Sequence, residues 1–384
     1  MKRRNFITNT AAAATLPFFP KIEMKNIKNP EELLNQHLPV NFTRDGINLS
    51  PTLYSKLLEQ LTLEKDFQPD SYGLGGMIHL FEEKVAKALG KEKAIYMPTG
   101  TLANHIALRQ HCTNSKRAIV QYDSHINRDS GDCATTLSGI NVITLGGNKV
   151  VYELSELHEI LNDNTKGKVK TPIGVLSLET PVRRKNLKRI PFNEIENICK
   201  IARENNIALH LDGARLYIDA AFSNKNVKDY TKLFDTVYLS LYKSFNSING
   251  AILAGSKKII DGLHNERRMF GGGLSSSWQQ IAIANYFFDN YEERYSKAQN
   301  QFEIFKIEIE KSEKFEISSL ENGSNVFKLT LSKNTNPEQL ISNLKKYEIL
   351  IPNWNKTDQC FYIKLNDSLV YNDMRKTAKI FVNS

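Results

Sequence analysis

The sequence is poor in cysteine and contains no long apolar run, and both absences exclude classes of protein. Its 384 residues include four cysteines, none of them in a C-x-x-C pair, so a disulfide framework and a metal site are both poorly supported. No apolar stretch reaches the roughly 20 residues that a transmembrane helix needs, so we predict no integral membrane segment. No internal repeat and no low-complexity linker interrupts the chain.

The charge balance indicates a small-molecule ligand and no nucleic acid. The formal net charge is +9, but the 51 lysines and arginines are spread along the chain. No zinc finger, basic zipper or RNA-binding signature accompanies them. The excess positive charge is typical of a protein that attracts anionic small molecules.

Two adjacent arginines, Arg3 and Arg4, precede a short and weakly apolar stretch over residues 11–19. This pattern resembles a twin-arginine export signal over residues 1–22, followed by an arm over residues 23–50. The alternative is a basic start on a cytosolic protein, so periplasmic and cytoplasmic locations both stay open.

Short apolar segments alternate with helical patterns between residues 51 and 270. This alternation predicts an α/β domain with a mostly parallel seven-stranded sheet flanked by helices. Beyond it, one long helix over 278–298 and alternating short elements predict a smaller α+β domain over residues 271–384. The predicted strands of the large domain are 94–97, 118–122, 141–144, 173–178, 207–211, 236–240 and 251–255.

Two chemically reactive side chains follow neighbouring apolar strands. Asp212 ends one strand and Lys243 follows the next, and ligands of parallel α/β sheets bind beyond the carboxyl ends of strands. Burial lowers the pKa of a lysine and makes it a better nucleophile towards an aldehyde. A capping aspartate is the alternative interpretation of Asp212, and Lys243 taken alone is more typical of a surface lysine.

Together these residues predict a pyridoxal 5′-phosphate (PLP) site. PLP needs a lysine for its Schiff base and an acid that keeps its pyridine nitrogen protonated. Thr99, Gly100 and Thr101 follow a predicted strand and open a helix, where backbone N–H groups suit a dianionic phosphate.

His125 follows the predicted strand 118–122 and belongs at the same edge of the sheet. Its flat imidazole can stack on a flat ring, and a structural loop histidine is the alternative.

Several motifs resemble those of the threonine aldolase and β-eliminating lyase family of fold-type I PLP enzymes, over about residues 40–285. The resemblance implies that Gly100 and Thr101 hold the phosphate, His125 stacks on the ring and Asp212 pairs with the ring nitrogen. It also implies that Arg215 lies beside the cofactor or the substrate carboxylate, and that Lys243 is the Schiff-base lysine. Members work as homodimers or homotetramers with shared sites, so residues 271–273 are expected to reach a neighbour's site. The matching motifs are Asp70-Ser-Tyr-Gly73, residues 89–104, Ser124-His-Ile126, residues 210–216 and Phe270-Gly-Gly-Gly273.

The chain departs from the family pattern around the substrate. Glu179-Thr-Pro-Val182 replaces the family's Glu-Asn-Thr-His, and Arg183 or Arg184 just beyond it is a candidate for binding a carboxylate. The turn after Lys243 is not glycine-rich, and the arginine expected after the glycine run is absent. Lys364 is a possible replacement for the family's C-terminal carboxylate-binding arginine.

The resemblance predicts a lyase that cleaves a β-hydroxy-α-amino acid into glycine and an aldehyde, with Lys243, Asp212 and His125 as catalytic residues. β-Elimination or transamination of another amino acid is the first alternative. A protein that binds PLP or an amino acid without turnover is the second.

Overall fold

The computed structural model of the chain describes residues 29–63, 67–166 and 168–384. The predicted export signal over residues 1–22 and the first part of the arm lie outside the described residues.

The described residues form an α/β structure whose elements alternate through the first two thirds of the chain. The helices are α1 Pro30–His37, α2 Pro51–Leu61, α3 Gly76–Ala88, α4 Gly100–His111, α5 His125–Arg128, α6 Cys133–Ser138, α7 Leu154–Lys166, α8 Phe192–Glu204, α9 Leu216–Ala221, α10 Val227–Thr231, α11 Lys257–Ile260, α12 Leu263–Met269, α13 Trp278–Phe288, α14 Tyr291–Glu310, α15 Pro337–Lys345 and α16 Met374–Asn383. The strands are β1 Val40–Asn41, β2 Lys93–Met97, β3 Arg117–Gln121, β4 Asn141–Leu145, β5 Val175–Glu179, β6 Ala208–Asp212, β7 Thr236–Ser240, β8 Ala251–Gly255, β9 Phe315–Ser319, β10 Val326–Leu331, β11 Ile349–Leu350 and β12 Phe361–Lys364.

Seven strands form the central sheet in the order β2-β8-β7-β6-β5-β3-β4. The prediction of a mostly parallel seven-stranded sheet is confirmed, and β8 runs antiparallel to both of its neighbours. Only the ten residues 241–250 join β7 to β8. A parallel pair needs a crossover of about a dozen residues or more, so this short connection dictates an antiparallel return.

The prediction of a single long helix over 278–298 is wrong, because two helices, α13 and α14, occupy this region. Asp289 is extended and Asn290 has a left-handed φ of 58°, so the backbone leaves the helix between α13 and α14. Asparagine adopts this conformation more readily than most residues. Apolar side chains are buried on both helices, and their spacing therefore did not reveal the break.

A smaller antiparallel sheet, β12-β10-β9, follows in the C-terminal part, and the N-terminal arm is attached to that part. Strand β1 pairs in parallel with β11. The side-chain amide of Asn366 donates to the carbonyl oxygens of Asn41 and Arg44, at 2.6 and 2.9 Å. The arm is thereby fixed beside β12, which brings residues 42–47 to the edge of the central sheet.

None of the helices in the described ranges is both long and apolar enough to cross a membrane. The four cysteines are buried and unpaired, as expected for small apolar core residues.

Candidate active site

Lys243 lies in the turn that follows β7, and its side chain is enclosed by the protein. The residue is 9% exposed, and no side chain in the described part of the chain forms a hydrogen bond or ion pair with its amine. Burial lowers the pKa of this amine to about 8, helped by Arg215 and opposed by Asp212. The turn is fixed by a hydrogen bond from the Leu241 N–H to the Gly250 carbonyl, at 3.1 Å.

Asp212 ends β6, the strand beside β7, and both of its carboxylate oxygens accept hydrogen bonds. Oδ2 accepts from the Asn104 amide at 2.6 Å, and Oδ1 accepts from the Ala214 N–H at 3.2 Å. These two contacts fix the orientation of the Asp212 carboxylate at the end of β6.

A chain of buried hydrogen bonds leads away from Asp212, and its direction follows from the donors. The Asn104 amide N–H points to Asp212, so its oxygen faces His210 Nε2 at 2.9 Å, and that nitrogen must carry the proton. His210 Nδ1 then accepts from Thr236 Oγ1 at 2.9 Å, which in turn contacts His111 Nε2 at 2.9 Å. Burial lowers the pKa of His210 to about 3, so its ring is neutral. We call this set (Asn104, His210, Thr236 and His111) the Asp212 relay.

The residues predicted to bind phosphate form the first turn of α4. Thr99 caps the helix by accepting a hydrogen bond from the Leu102 N–H at 3.1 Å. The N–H groups of Gly100 and Thr101 belong to the first turn, which has no acceptors within the helix. The Tyr238 ring presses against Gly100 so closely that a side chain at position 100 would overlap its hydroxyl. Gly100, Thr101 and Tyr238 line the same cavity as Lys243.

His125 opens α5, and two neighbours fix its ring and backbone. Its N–H donates to Glu179 Oε2 at 2.5 Å, and Nδ1 lies 3.0 Å from the Ser130 hydroxyl. Burial lowers the pKa of His125, against the opposing charge of Asp212, which favours the neutral imidazole near neutral pH.

Glu179 is a buried acid of this region to which the sequence analysis assigned no role, although it matches the glutamate of the family's Glu-Asn-Thr-His. It ends β5 directly beside Asp212 in the sheet, and its Oε1 accepts from the Arg183 N–H at 2.9 Å. Burial, together with the neighbouring Asp212, raises the pKa of Glu179 to about 7. Its position at the end of a fully buried strand, like that of Asp212, was the signal available in the sequence.

All seven predicted site residues line one cavity of about 180 Å³. The cavity combines an amine without a hydrogen-bond partner among the described residues, a carboxylate and the N–H groups of a helix start, which match the aldehyde, the pyridine nitrogen and the phosphate of PLP. The residues present therefore fit this cofactor. They are Thr99, Gly100, Thr101, His125, Asp212, Arg215 and Lys243.

A larger cavity of about 940 Å³ adjoins the first and shares with it His125, Arg183, Arg215, Tyr242 and Lys243. Arg183 is 51% exposed and binds Asp129 at 2.9 Å. Neither cavity is lined by residues 271–273, which follow α12.

In the larger cavity, Arg215 and Lys364 both bind the carboxylate of Asp45, a residue that the sequence analysis did not identify. Arg215 donates to Asp45 Oδ2 from Nε at 2.9 Å and from Nη2 at 2.8 Å, and Lys364 donates to Oδ1 at 2.8 Å. Burial alone would raise the pKa of Asp45, but the two cations more than offset it and hold that pKa below its usual value. Asp45 lies 170 positions before Arg215 in the chain, and nothing in the sequence around it indicated that it faces the site.

Known proteins resemble this chain in sequence and in fold. The family model described as beta-eliminating lyase matches residues 58–364. Low-specificity L-threonine aldolase of Candida albicans is 31% identical over 212 residues, 54% of this chain and 56% of that protein. Alanine racemase TOXG of Cochliobolus carbonum is 30% identical over 218 residues, 55% of this chain and 54% of that protein. The match thus spans about half the length of these curated relatives.

A crystal structure described as that of an L-allo-threonine aldolase of Listeria monocytogenes shares the fold. It superposes with a TM-score of 0.72 at 24% identity and covers 92% of this chain and 98% of that chain. At this identity the likeness extends to the fold alone.

Proposed function

Because the chain belongs to the beta-eliminating lyase family of PLP-dependent enzymes, we propose that it cleaves the Cα–Cβ bond of a β-hydroxy-α-amino acid into glycine and an aldehyde. The observation that carries the proposal is the single cavity in which the Lys243 amine, the Asp212 carboxylate and the start of α4 meet.

Three groups would hold the cofactor. Lys243 Nζ would bind it covalently as a Schiff base, Asp212 would pair with its ring nitrogen, and the N–H groups of Gly100 and Thr101 would receive its phosphate. PLP, when bound, supplies a ring that accepts the electrons of the bond being broken. Asp212 would contribute a carboxylate whose orientation is fixed by the Asn104 amide and the Ala214 N–H.

Lys243 is suited to this role by its surroundings. A pKa of about 8 leaves far more free amine near neutral pH than an exposed lysine has. The free amine is the form that attacks an aldehyde.

His125 is the proposed base that takes the proton of the substrate β-hydroxyl. The Ser130 hydroxyl donates to the His125 carbonyl at 3.0 Å, so its oxygen can accept the Nδ1 proton. Nε2 makes no hydrogen bond within the described residues and, in this tautomer, is the nitrogen that would accept the substrate proton. A neutral ring is required for this step, and burial favours that form.

The test is to incubate the PLP-loaded protein with L-threonine and with L-allo-threonine and to assay glycine and acetaldehyde together. Release of both products in equal amounts supports the proposal. Pyruvate and ammonia from L-serine, without glycine release from either threonine isomer, would replace it with β-elimination, which the description of the family favours as the second candidate. Cofactor binding without any of these products, or a keto acid from transamination, would overturn both.

A further inference from the structure

We propose that Arg183 selects a substrate with a second carboxylate on its Cβ, so that the compound cleaved is a β-hydroxy-α-amino dicarboxylic acid. The simplest such compound is 3-hydroxyaspartate. Its cleavage between Cα and Cβ gives glycine and glyoxylate, with no atom left over and no oxidant needed. The inference rests on the proposed function, because it names the substrate class of the same site.

Arg183 lies beside His125 because one carboxylate holds the backbone of both residues. Glu179 Oε1 accepts from the Arg183 N–H at 2.9 Å, and Glu179 Oε2 accepts from the His125 N–H at 2.5 Å. Both residues line the cofactor cavity and the larger cavity. Since His125 is proposed to act on the hydroxyl of the substrate Cβ, another group on that carbon lies in the part of the site that Arg183 borders.

The charge of Arg183 is only partly compensated by its ion pair. Asp129 binds Arg183 through Oδ2 at 2.9 Å, but Arg184 binds both oxygens of the same carboxylate, at 2.6 and 3.1 Å. The hydrogen bond from Arg184 is also the main reason that the pKa of Asp129 lies below its usual value. Two cations therefore share one anion, and the guanidinium of Arg183 has further N–H donors for a carboxylate.

The charges that line the larger cavity suit a substrate with two carboxylates. Besides Lys243, which would hold the cofactor, four cationic side chains and two carboxylates line this cavity, which leaves a net charge of +2. One substrate carboxylate would balance the charge left at Arg215, Lys364 and Asp45. The second would balance the charge left around Arg183. The four cations are Arg44, Arg183, Arg215 and Lys364, and the two carboxylates are Asp45 and Asp129.

The sequence at this position departs from the family pattern in the same direction. Val182 stands where the pattern Glu-Asn-Thr-His has histidine, and its side chain is fully buried. A buried apolar side chain thus replaces the histidine, and the next residue places a cation at the cavity. An arginine is always charged and its planar fork matches a carboxylate, so it favours an anionic substituent over an uncharged one.

The first measurement compares L-3-hydroxyaspartate with L-3-hydroxyasparagine on the wild-type PLP-loaded protein. At a given Cβ configuration the two ligands differ only in that an amide replaces the second carboxylate. Both Cβ epimers are tested, and the preference is judged on the epimer that binds more tightly. Dissociation constants are obtained from the change in cofactor absorption, by rapid mixing before turnover and at low ionic strength.

We expect the acid to bind at least about fivefold more tightly than the amide. The preference should decrease as salt is added, because the Arg183 side chain is 51% exposed and salt screens its charge. A preference smaller than this at low ionic strength, or one for the amide, would overturn the inference.

Arg183→Gln removes the charge and keeps a side chain that can form hydrogen bonds. We expect the preference for the acid to fall to within about twofold, while the affinity for the amide changes by less than about threefold. The matched control is Lys185→Gln, because Lys185 pairs with Asp123 at 2.7 Å and lines neither cavity. A preference that survives in Arg183→Gln, or that falls equally in the control, would contradict the proposal.

Asp129→Asn changes the preference in the opposite direction. Removing this carboxylate leaves Arg183 without its anionic partner, so we expect the acid to gain at least about threefold in affinity relative to the amide. An unchanged or smaller preference in this variant would show that Arg183 is not its source.

These binding ratios do not depend on turnover, so the two proposals can fail separately. The expected ratios without glycine release from 3-hydroxyaspartate or from either threonine isomer would overturn the proposed function alone. Glycine release from threonine with no preference for the acid would overturn this inference alone. Both hold if 3-hydroxyaspartate yields glycine and glyoxylate in equal amounts, at a higher kcat/KM than L-threonine.

Discussion

Burial favours the uncharged forms of Lys243 and His125, the two groups proposed to handle protons and covalent bonds. Burial lowers the pKa of both, while Asp212 opposes the shift in each case. The two oxygens of Asp212 are held by the Asn104 amide and the Ala214 N–H. The same enclosure therefore increases the fraction of free amine on Lys243 and of neutral imidazole on His125.

Replacing Lys243 tests whether its amine, and not merely its charge, is needed. We expect Lys243→Ala and Lys243→Arg both to lose the visible absorption of the lysine-bound cofactor after gel filtration, and to lose activity by at least about 10³-fold. Arginine keeps the cation but cannot provide a free amine. An alanine variant that retained every activity would contradict all PLP-dependent proposals together.

Two substitutions of His125 distinguish the contribution of its flat ring from that of its proton-accepting nitrogen. We expect His125→Phe to retain PLP affinity within about threefold while kcat falls about 10²- to 10⁴-fold, the usual contribution of a general base. His125→Ala should lose affinity as well. Because burial lowers the pKa of His125, the wild-type kcat/KM should hold below the pH at which a free histidine protonates. A phenylalanine variant with normal kcat would assign the base to another residue.

At the scale of secondary-structure elements, the Asp212 relay joins α4, β6 and β7 through buried side chains. His210 is neutral in the folded protein, with a pKa lowered to about 3, whereas its ordinary value is 6.5. Below pH 6.5 the unfolded chain therefore binds a proton that the folded protein does not. The free energy of unfolding should fall as the pH decreases from 6.5 towards 3, at up to about 1.4 kcal/mol per pH unit from this group.

Urea unfolding at a series of pH values measures this dependence. His210→Gln retains a donor and an acceptor but does not titrate, so its stability should decrease less steeply below pH 6.5 than that of the wild type. His158→Gln, at an exposed position, is the matched control and should leave the slope unchanged. Equal slopes in the wild type and His210→Gln would show that this histidine does not carry the effect.

The strand ends were predictable from the sequence because apolar segments and the residues after them are local features. The pattern located β6 and β7, and with them Asp212 and Lys243, at neighbouring carboxyl ends. The break between α13 and α14 was not predictable from apolar spacing, since one left-handed residue ends a helix without altering that spacing. A local sequence pattern therefore predicts the position of a strand or helix better than it predicts the residue at which that element ends.

At the scale of the whole molecule, the feature that sequence reasoning missed depends on chain segments far apart. Asp45 reaches Arg215 and Lys364 because β1 pairs with β11 and positions the arm beside β12. Neither the composition nor the periodicity of the arm encodes that pairing. The contact of Asp45 with Arg215 and Lys364 was therefore unpredictable, whereas the positions of Asp212 and Lys243 at neighbouring strand ends of one sheet were predictable.

Oligomerisation is also a property of the whole molecule, and one surface is suited to it. Tyr72, Leu74, Met269 and Leu274 are 40–62% exposed. The Tyr72 N–H donates to the Ser275 carbonyl, so the two segments adjoin. Large exposed apolar patches are rare on monomers, and this one lies beside the glycine run expected to reach a neighbour's site.

We therefore expect light scattering on the full chain to give at least twice the monomer mass of 43.7 kDa. Leu74→Asp should shift the protein towards the monomer and reduce activity in parallel, since a charge in an apolar contact must be desolvated. Ile307→Asp is the matched control, because Ile307 and Leu74 are both 57% exposed and Ile307 lies on α14, away from the patch in sequence. A monomeric wild type would contradict a shared site, and equal dissociation of both variants would locate the interface elsewhere.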